Sequence, residues 1–276
     1  MNSLLGVGLR KEHYNDILSK TYPIEFLEVH SENFINVDSK FVDLLIQIGK
    51  HYKLSLHGIG LSLGSKTLDN QHLKSLKTLI NQVEPFLVSE HLSWNKFNGK
   101  YIPDLIPIPY TTESLGIFVN NVTNTQEFLE RQILIENPSS YMRYKCDMIQ
   151  EADFLVEIAF QSGAGILLDI NNIYVSSHNN DFNPKQYIDK IDKNLVKEIH
   201  LAGHSHKQIA KNKVLKIDTH DDFICDEVWE LYEYAIKKFG PVYSLFEWDE
   251  NAPELSVLIN EIQKAKKYLF ADRKCA

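Results

Sequence analysis

The sequence predicts a single (β/α)8 barrel, a TIM barrel, that occupies residues 1–276. Short apolar segments alternate along the chain with longer segments of helical periodicity, which is typical of βα units around a parallel sheet. Eight such apolar segments occur, and no Ser/Gly-rich linker, repeat or low-complexity segment separates them. Imidazole and carboxylate side chains follow most of these segments, at the strand ends where a barrel enzyme gathers its active site.

The strands are predicted at short apolar runs bounded by glycine or polar residues. They are expected at residues 6–9, 24–30, 54–58, 86–91, 133–137, 165–170, 197–202 and 243–248. The helices are predicted where apolar residues recur at every third or fourth position. They are expected at residues 11–20, 39–52, 68–83, 112–130, 147–162, 184–194, 226–239 and 253–270. Asn183 before Pro184 fits an N-cap, and Gly163 and Gly240 lie where a helix must end.

Two connections are longer than a barrel requires. The segment 95–111 carries three prolines, and the segment 203–225 carries several histidines and aspartates. Long loops over a barrel mouth commonly hold substrate or complete the site. We therefore expect both segments to lie at the active-site end.

Composition restricts the class of protein and its partners. The chain has 29 basic and 37 acidic residues and a net charge of −8, which disfavours nucleic acid or an anionic membrane as the main partner. No segment approaches the ~20 apolar residues of a membrane helix, and the N-terminal sequence MNSLLGVGLRKEHY resembles neither a signal peptide nor an anchor. The three cysteines, Cys146, Cys225 and Cys275, show no CxxC spacing, which is typical of a reducing compartment. A cytoplasmic location is predicted.

The polar strand-end residues indicate a metal site. Ionisable groups at the ends of apolar strands are costly to bury unless they are paired or metal-bound. Imidazole and carboxylate donors without thiolate suit iron, manganese or zinc. Because the set is too large for one ion, two or three ions are expected, with a carboxylate such as Glu136 as a bridge. The predicted ligands are His57, His91, Glu136, Asp169, His200, His204, Asp218, His220 and Glu247.

Other polar residues are interpreted less specifically. His13, His51, His72, His178 and His206 are interpreted as helix or loop residues without a role in the site. The segment FLEVHSENF alternates polar side chains along and beyond a strand, so some of Glu28, His30, Glu32 and Asn33 are expected to face the cavity. Trp94, Tyr141 and Trp248 fit rim packing as well as substrate contact.

A family resemblance is carried by nine motifs spread in order from Gly6 to Pro253. They are GVGLR, FLEVHSENF, SLHGIGLSLG, SEHLSW, ENPSSY, LLDINNIYVS, EIHLAGH, DTHDD and FEWDENAP. Together they resemble the DUF692 family of multinuclear non-heme iron-dependent oxidative enzymes. The resemblance implies a xylose isomerase-like TIM barrel with two or three iron ions, mixed Fe2+ and Fe3+. It also implies that dioxygen is used to modify cysteine residues of a ribosomally made precursor peptide, which a separate partner protein delivers.

The resemblance also implies a grouping of the ligands. His57, His91 and Glu136 would hold one iron, and Glu136 would bridge to a second iron held by Asp169, His200 and Glu247. Asn172, which spacing alone does not nominate, would join His204, Asp218 and His220 at a third position. Contacts with substrate or with the ligands are expected from His30, Glu32, Asn33, Asn137, Tyr141 and Asp249.

Two other classes of function stay open at this point. A metal-dependent isomerase or phosphodiesterase on the same barrel would use comparable ligands with redox-inert zinc, magnesium or manganese. A metal-binding protein without enzymatic activity would store or sense iron or copper. Oxygen consumption that depends on a peptide would separate an oxidative enzyme from both.

Overall fold

The computed structural model describes residues 4–97, 100–211 and 213–270. Eight parallel strands close into a barrel, which confirms the predicted fold class. In chain order the barrel strands are β1 (Leu5–Gly8), β2 (Phe26–His30), β3 (Lys53–Gly58), β4 (Leu87–His91), β7 (Leu134–Glu136), β8 (Gly165–Asp169), β9 (Val196–Leu201) and β12 (Tyr243–Phe246). Around the barrel they follow the order β1, β12, β9, β8, β7, β4, β3, β2.

Two antiparallel hairpins are inserted between barrel strands. They are formed by β5 (Trp94–Phe97) with β6 (Lys100–Ile106), and by β10 (Ser205–Ala210) with β11 (Lys213–Ile217). Apart from Trp94, both fall within the long connections that the sequence analysis interpreted as loops. The sequence analysis missed the strands because proline and lysine are depleted in strands, and a two-stranded hairpin tolerates them on its exposed edges.

The chain divides into two compact units. The terminal unit comprises the described residues up to Glu28, Ser139–Met142 and the chain from Leu168 onward, and the central unit comprises Val29–Pro138 and Arg143–Leu167. In the terminal unit β1 pairs with β2 and β12, and β12 pairs with β9. In the central unit β4 pairs with β3 and β7. Nearly every residue of these strands is buried, as expected of parallel strands covered on both faces. The single-domain assignment stays a prediction.

Capping residues mark the ends of several helices. The helices are α1 (Tyr14–Ser19), α2 (Ser39–Gly49), α3 (Asn70–Val83), α4 (Thr112–Leu129), α5 (Glu151–Ser162), α6 (Ile170–Asn180), α7 (Pro184–Lys190), α8 (Asp226–Phe239), α9 (Leu255–Gln263) and α10 (Lys266–Leu269). Asn183 caps α7 by accepting from the Lys185 amide, with proline at the start of the helix. Gly163 ends α5 in the left-handed region, at φ 75°. Both caps agree with the sequence analysis.

Several predicted boundaries were wrong. The helix predicted at 147–162 begins at Glu151, because the Asp147 carboxylate accepts hydrogen bonds from the backbone of Tyr110 and Tyr144. The segments 11–20 and 253–270 are each divided into two short helices. Helix α6 was not predicted at all. Its sequence, INNIYVSSHNN, is rich in asparagine, serine and β-branched residues, which have low helix propensity.

None of the described helices is both long enough and apolar enough to cross a membrane. Cys146 is exposed and Cys225 is half-buried, and neither forms a disulfide. Cys275 and residues 1–3 lie outside the described residues, as do 98–99 and 212 within the two long connections.

Gly203, in the connection that follows β9, lies close to the backbone of Asp222, and a substitution can test this close approach. A Cβ atom at this position would overlap the backbone carbonyl of Asp222. We expect Gly203→Ala to lower the free energy of unfolding by about 1–3 kcal/mol, because the backbone must shift to relieve the overlap. Equilibrium urea denaturation would measure the change.

Gly116→Ala is the matched control, since no atom lies within 4 Å of a Cβ built at this exposed position on α4. It should raise stability by about 0.5–1 kcal/mol through helix propensity. Equal stability of Gly203→Ala and the unmodified protein would contradict the close approach of Gly203 to Asp222.

Candidate metal centre

Three ligand-type side chains of the central unit meet at the carboxyl ends of neighbouring strands. His57 lies near the end of β3, and His91 and Glu136 are the last residues of β4 and β7. All three side chains are buried. His57 Nε2 and His91 Nε2 are 3.2 Å apart, and each lies 3.1 Å from Glu136 Oε2. The fold therefore brings together the first predicted ligand group, which we call the central cluster.

The second nitrogen of each imidazole ring is held by a neighbouring strand. His91 Nδ1 lies 3.0 Å from the carbonyl oxygen of Gly58 and donates to it. His57 Nδ1 lies 2.7 Å from the Ser89 hydroxyl, and the register places Ser89 opposite His57. These contacts orient both rings with Nε2 toward Glu136. Such partners are usual for histidines that bind metal.

The spacing of the donor atoms fits a bound cation. Lone pairs of imidazole nitrogens and a carboxylate oxygen repel one another at 3.1–3.2 Å unless a proton or a cation lies between them. Ligands in adjacent positions at about 2.1 Å from one ion would themselves lie about 3 Å apart. Two histidines and one carboxylate on one face of an ion, with other positions open, are typical of non-haem iron oxygenases. The central cluster has this composition and spacing.

A second set of ligand-type side chains belongs to the terminal unit, and we call it the terminal cluster. His200 on β9 has Nε2 3.1 Å from Glu28 Oε1 and Nδ1 3.2 Å from Glu247 Oε2. His220 Nδ1 lies 3.4 Å from the same oxygen of Glu247. Asp169, the last residue of β8, forms a group with His220 and Glu247 in which the donor atoms lie within 4.8 Å of one another. Glu28, His200 and Glu247 form another such group.

The carboxylates of the terminal cluster favour positive charge. Burial lowers the pKa of His200, but the Glu28 and Glu247 carboxylates outweigh burial and raise it well above its ordinary value. Burial also lowers the pKa of His220, but the Asp218 and Glu247 carboxylates outweigh burial and raise this pKa well above its ordinary value. A divalent cation supplies positive charge to such a site and releases the ring protons. The donor set of the terminal cluster therefore also fits a metal ion.

Two residues predicted for a third ion position have other partners. His204 Nδ1 lies 2.9 Å from Asn171 Oδ1, and Asn171 donates to Asp218 Oδ1 at 2.7 Å. His204 Nε2 lies 3.2 Å from Lys216 Nζ. Burial, together with the Lys216 charge, lowers the pKa of His204 to about 4. Among the described residues, neither His204 nor Asp218 belongs to a three-residue group of His, Cys, Asp and Glu that could hold an ion.

Of the other two residues of that position, His220 belongs to the terminal cluster and Asn172 lies beside it. His220 Nε2 is 2.7 Å from Asp218 Oδ1. Asn172 is buried on α6, and its backbone amide donates to Asp169 Oδ1 at 2.6 Å. A third ion position stays a prediction.

Residues predicted to contact substrate or ligands are found in both units. In the central unit the His30 ring centroid is 6.0 Å from that of His57. Glu32 accepts from the Ile59 amide at 3.2 Å and lies 3.3 Å from His72 Nε2. Asn33 lies in a short 3₁₀ helix, and Asn137 is fully buried directly after Glu136. The ring of His30 thus contacts the central cluster.

In the terminal unit two of the predicted residues reach the neighbourhood of the ligands. The Tyr141 hydroxyl accepts a hydrogen bond from the Asp218 amide at 3.0 Å. Asp249 Oδ2 lies 3.0 Å from His220 Nδ1, and the other oxygen of Asp249 is paired with Arg10. Arg10, which the sequence analysis did not single out, thereby neutralises one of the carboxylates beside His220.

Sequence reasoning also missed three buried glutamates as members of the site. Glu28 was expected only to face the cavity, and Glu90 and Glu198 were not considered. Glu90 accepts from the amides of Leu61 and His91, and burial raises its pKa to about 7. The signal that could have found them is a glutamate one or two residues before three of the strand-end histidines, in EVH, SEH and EIH.

Solved structures resemble this chain in fold. D-psicose 3-epimerase from Clostridium cellulolyticum H10, crystallised with D-tagatose, aligns with a TM-score of 0.59 at 12% identity, over 98% of this chain and 94% of the epimerase chain. A xylose isomerase domain-containing protein from Salmonella typhimurium LT2 aligns with a TM-score of 0.62 at 11% identity, over 98% of this chain and 99% of that protein. The predicted xylose isomerase-like barrel is confirmed.

Sequence comparisons identify the family. A UPF0276 protein of Psychromonas ingrahamii is 47% identical over 263 residues, which are 95% of this chain and 92% of the relative. A UPF0276 protein of Vibrio vulnificus is 44% identical over 268 residues, 97% of this chain and 92% of the relative. The profile of the RiPP precursor modification enzymes MbnB/TglH/ChrH matches residues 4–270. The chain belongs to this family of enzymes that modify ribosomally synthesised precursor peptides.

Proposed function

We propose that this chain uses iron and dioxygen to oxidise cysteine residues of a ribosomally synthesised precursor peptide. The central cluster carries the proposal, because two histidines and one carboxylate at 3.1–3.2 Å spacing match the ligand type of non-haem iron oxygenases. Family membership supports a precursor peptide as the substrate. We assign one iron to the central cluster, whose three donor atoms form a group that could hold an ion. We assign a second iron to Asp169, His200 and Glu247 of the terminal cluster, which belong to two such groups that share Glu247.

The residues around the clusters have distinct roles in this proposal. Bound iron would supply electron transfer to dioxygen and would lower the pKa of a nearby cysteine thiol. Ser89 and Gly58 hold the imidazole rings of His57 and His91, and apolar strand walls exclude bulk water from them. Tyr141, exposed beside Asp218, is placed to contact the peptide. Dioxygen is the terminal electron acceptor. A cytoplasmic location and a separate partner protein that delivers the peptide belong to the same proposal.

The metal content distinguishes the proposal from its rivals. Protein produced in iron-supplemented cells and purified without oxygen should contain two to three iron ions per chain, some of them in a coupled ferrous and ferric pair. Elemental analysis and Mössbauer spectroscopy measure both quantities. Stoichiometric zinc or manganese, with iron unable to confer peptide-dependent oxygen consumption, would instead indicate an isomerase or phosphodiesterase. Bound iron without such consumption would indicate a protein that stores or senses metal.

Glu136→Ala tests the predicted bridging role of this carboxylate. A bridge serves two ions, so its loss should reduce bound iron by more than one equivalent per chain. The matched control is Glu261→Ala, which removes a buried glutamate of α9 that is paired with Lys264. The control should keep its iron. Unchanged iron content in folded Glu136→Ala protein would disprove the bridge.

Ser89→Ala tests whether the hydroxyl that contacts His57 supports metal binding. Losing a partner of a metal-bound histidine commonly lowers metal affinity about 10–100-fold. We expect a loss of that size, measured by competition with a chelator. Ser244→Ala removes a buried hydroxyl of β12 that is hydrogen-bonded to Tyr232 of α8, and it should lower stability without lowering metal affinity. Equal chelator resistance of both variants would show that Ser89 has no role in metal binding.

A further inference from the structure

The hairpin of β10 and β11 is inserted between two predicted ligands. It begins directly after His204 and ends directly before Asp218. Its sheet has only two strands among the described residues, so each strand has an outer edge. Residues 206–210 of β10 are exposed. The exposed strand β10 is therefore accessible to a binding partner.

The outer edge of β11 is already covered by α6. Asn179 Oδ1 accepts from the Lys216 amide at 3.0 Å, and Asn179 Nδ2 donates to the Lys216 carbonyl at 2.9 Å. His178 Nε2 donates to the Val214 carbonyl at 3.2 Å. These side chains bond to the edge as a neighbouring strand would. Any added strand must therefore use the other edge of the hairpin.

The register shows which backbone groups that other edge offers. In an antiparallel pair, residues whose backbone groups point away from the partner strand alternate with residues that bond to it. Lys216 and Val214 bond outward to α6, so their partners in the register, His206 and Gln208, also point outward, from β10. No described residue outside the hairpin bonds to the backbone of His206 or Gln208. A peptide strand can pair there.

The charge of the hairpin selects the kind of strand. Residues 205–217 contain four lysines and no acidic residue, in a chain whose net charge is −8. Lys207, Lys211 and Lys213 are exposed. Like charges on an edge discourage pairing with a second copy of the same edge, whereas an acidic strand is attracted. Ile209 of β10, which is 48% exposed, provides an apolar contact for its side chains.

We propose that the outer edge of β10 binds an acidic, extended segment of the precursor peptide by β-strand addition. This proposal rests on the proposed function, because it takes a peptide as the substrate. Main-chain hydrogen bonds to His206 and Gln208 hold the segment, and the lysines select acidic side chains. The adjoining part of the peptide then lies at the Ser205 end of the hairpin, next to His204.

A peptide without cysteine tests docking separately from oxidation. The probe is a fluorescein-labelled ten-residue peptide in which glutamate alternates with threonine and valine, and its counterpart has lysine in place of glutamate. Fluorescence anisotropy with the iron-loaded protein should show binding of the glutamate peptide, weakened by added salt, and at least tenfold weaker binding of the lysine peptide.

Two proline variants test which edge binds. Gln208→Pro removes an outward N–H group of β10 and should weaken binding of the glutamate peptide at least tenfold. Val214→Pro removes the matching outward group of β11 and should leave binding unchanged, because α6 covers that edge. Proline is tolerated at strand edges whose N–H groups face outward. Equal losses in the two variants would overturn the proposal.

A charge reversal covers the case in which a proline variant does not fold. The double variant Lys207→Glu and Lys213→Glu should prefer the lysine peptide over the glutamate peptide, a gain that misfolding cannot produce. The proposal would be overturned if the double variant still preferred the glutamate peptide, as the unmodified protein is expected to. It would also be overturned if the chain self-associated and Gln208→Pro abolished that self-association. Peptide-dependent oxygen consumption without binding of the glutamate peptide refutes docking alone, and binding without bound iron refutes the proposed function alone.

Discussion

Burial of ionisable groups at the carboxyl ends of the strands is the constraint on which the rest of the structure depends. A carboxylate removed from water costs several kcal/mol unless opposite charge or hydrogen bonds replace the lost hydration. In the central unit Glu136 meets two imidazoles, and in the terminal unit Glu28 and Glu247 flank His200. Metal ions satisfy the same requirement with more charge in less space. The barrel walls, which exclude water, make that requirement strong.

The barrel was predictable because each of its strands is a short apolar run, which local sequence alone reveals. The exceptions are elements stabilised by tertiary contacts. Helix α6 has a sequence of low helix propensity, and it forms because Asp169 caps it and its apolar residues are buried. The hairpin of β10 and β11 has exposed lysines where strand patterns require apolar residues, and α6 supplies hydrogen bonds to its edge. Neither interaction can be deduced from local sequence.

The candidate site shows the same division. The grouping of His57, His91 and Glu136 follows from their positions at the ends of adjacent strands, so sequence reasoning could anticipate it. The surroundings of His204 could not be anticipated. Asn171 and Lys216 contact its ring through α6 and the hairpin, and both depend on elements that the sequence did not predict. The residues that contact a predicted ligand come from distant chain segments, whereas the ligand itself can be recognised from its position at the end of an apolar strand.

Helix α6 connects the two parts of the terminal unit that the proposals assign to metal and to peptide. Its first turn is capped by Asp169, and near its last turn Asn179 bonds to Lys216 of the hairpin. Its 11 residues correspond to a rigid rod of about 16 Å. Lys216 of the hairpin also contacts His204. A strand bound to the hairpin would therefore act on α6, which is fixed to the ligand-bearing end of β8 through Asp169. If both proposals hold, substrate docking and metal binding are linked through one helix.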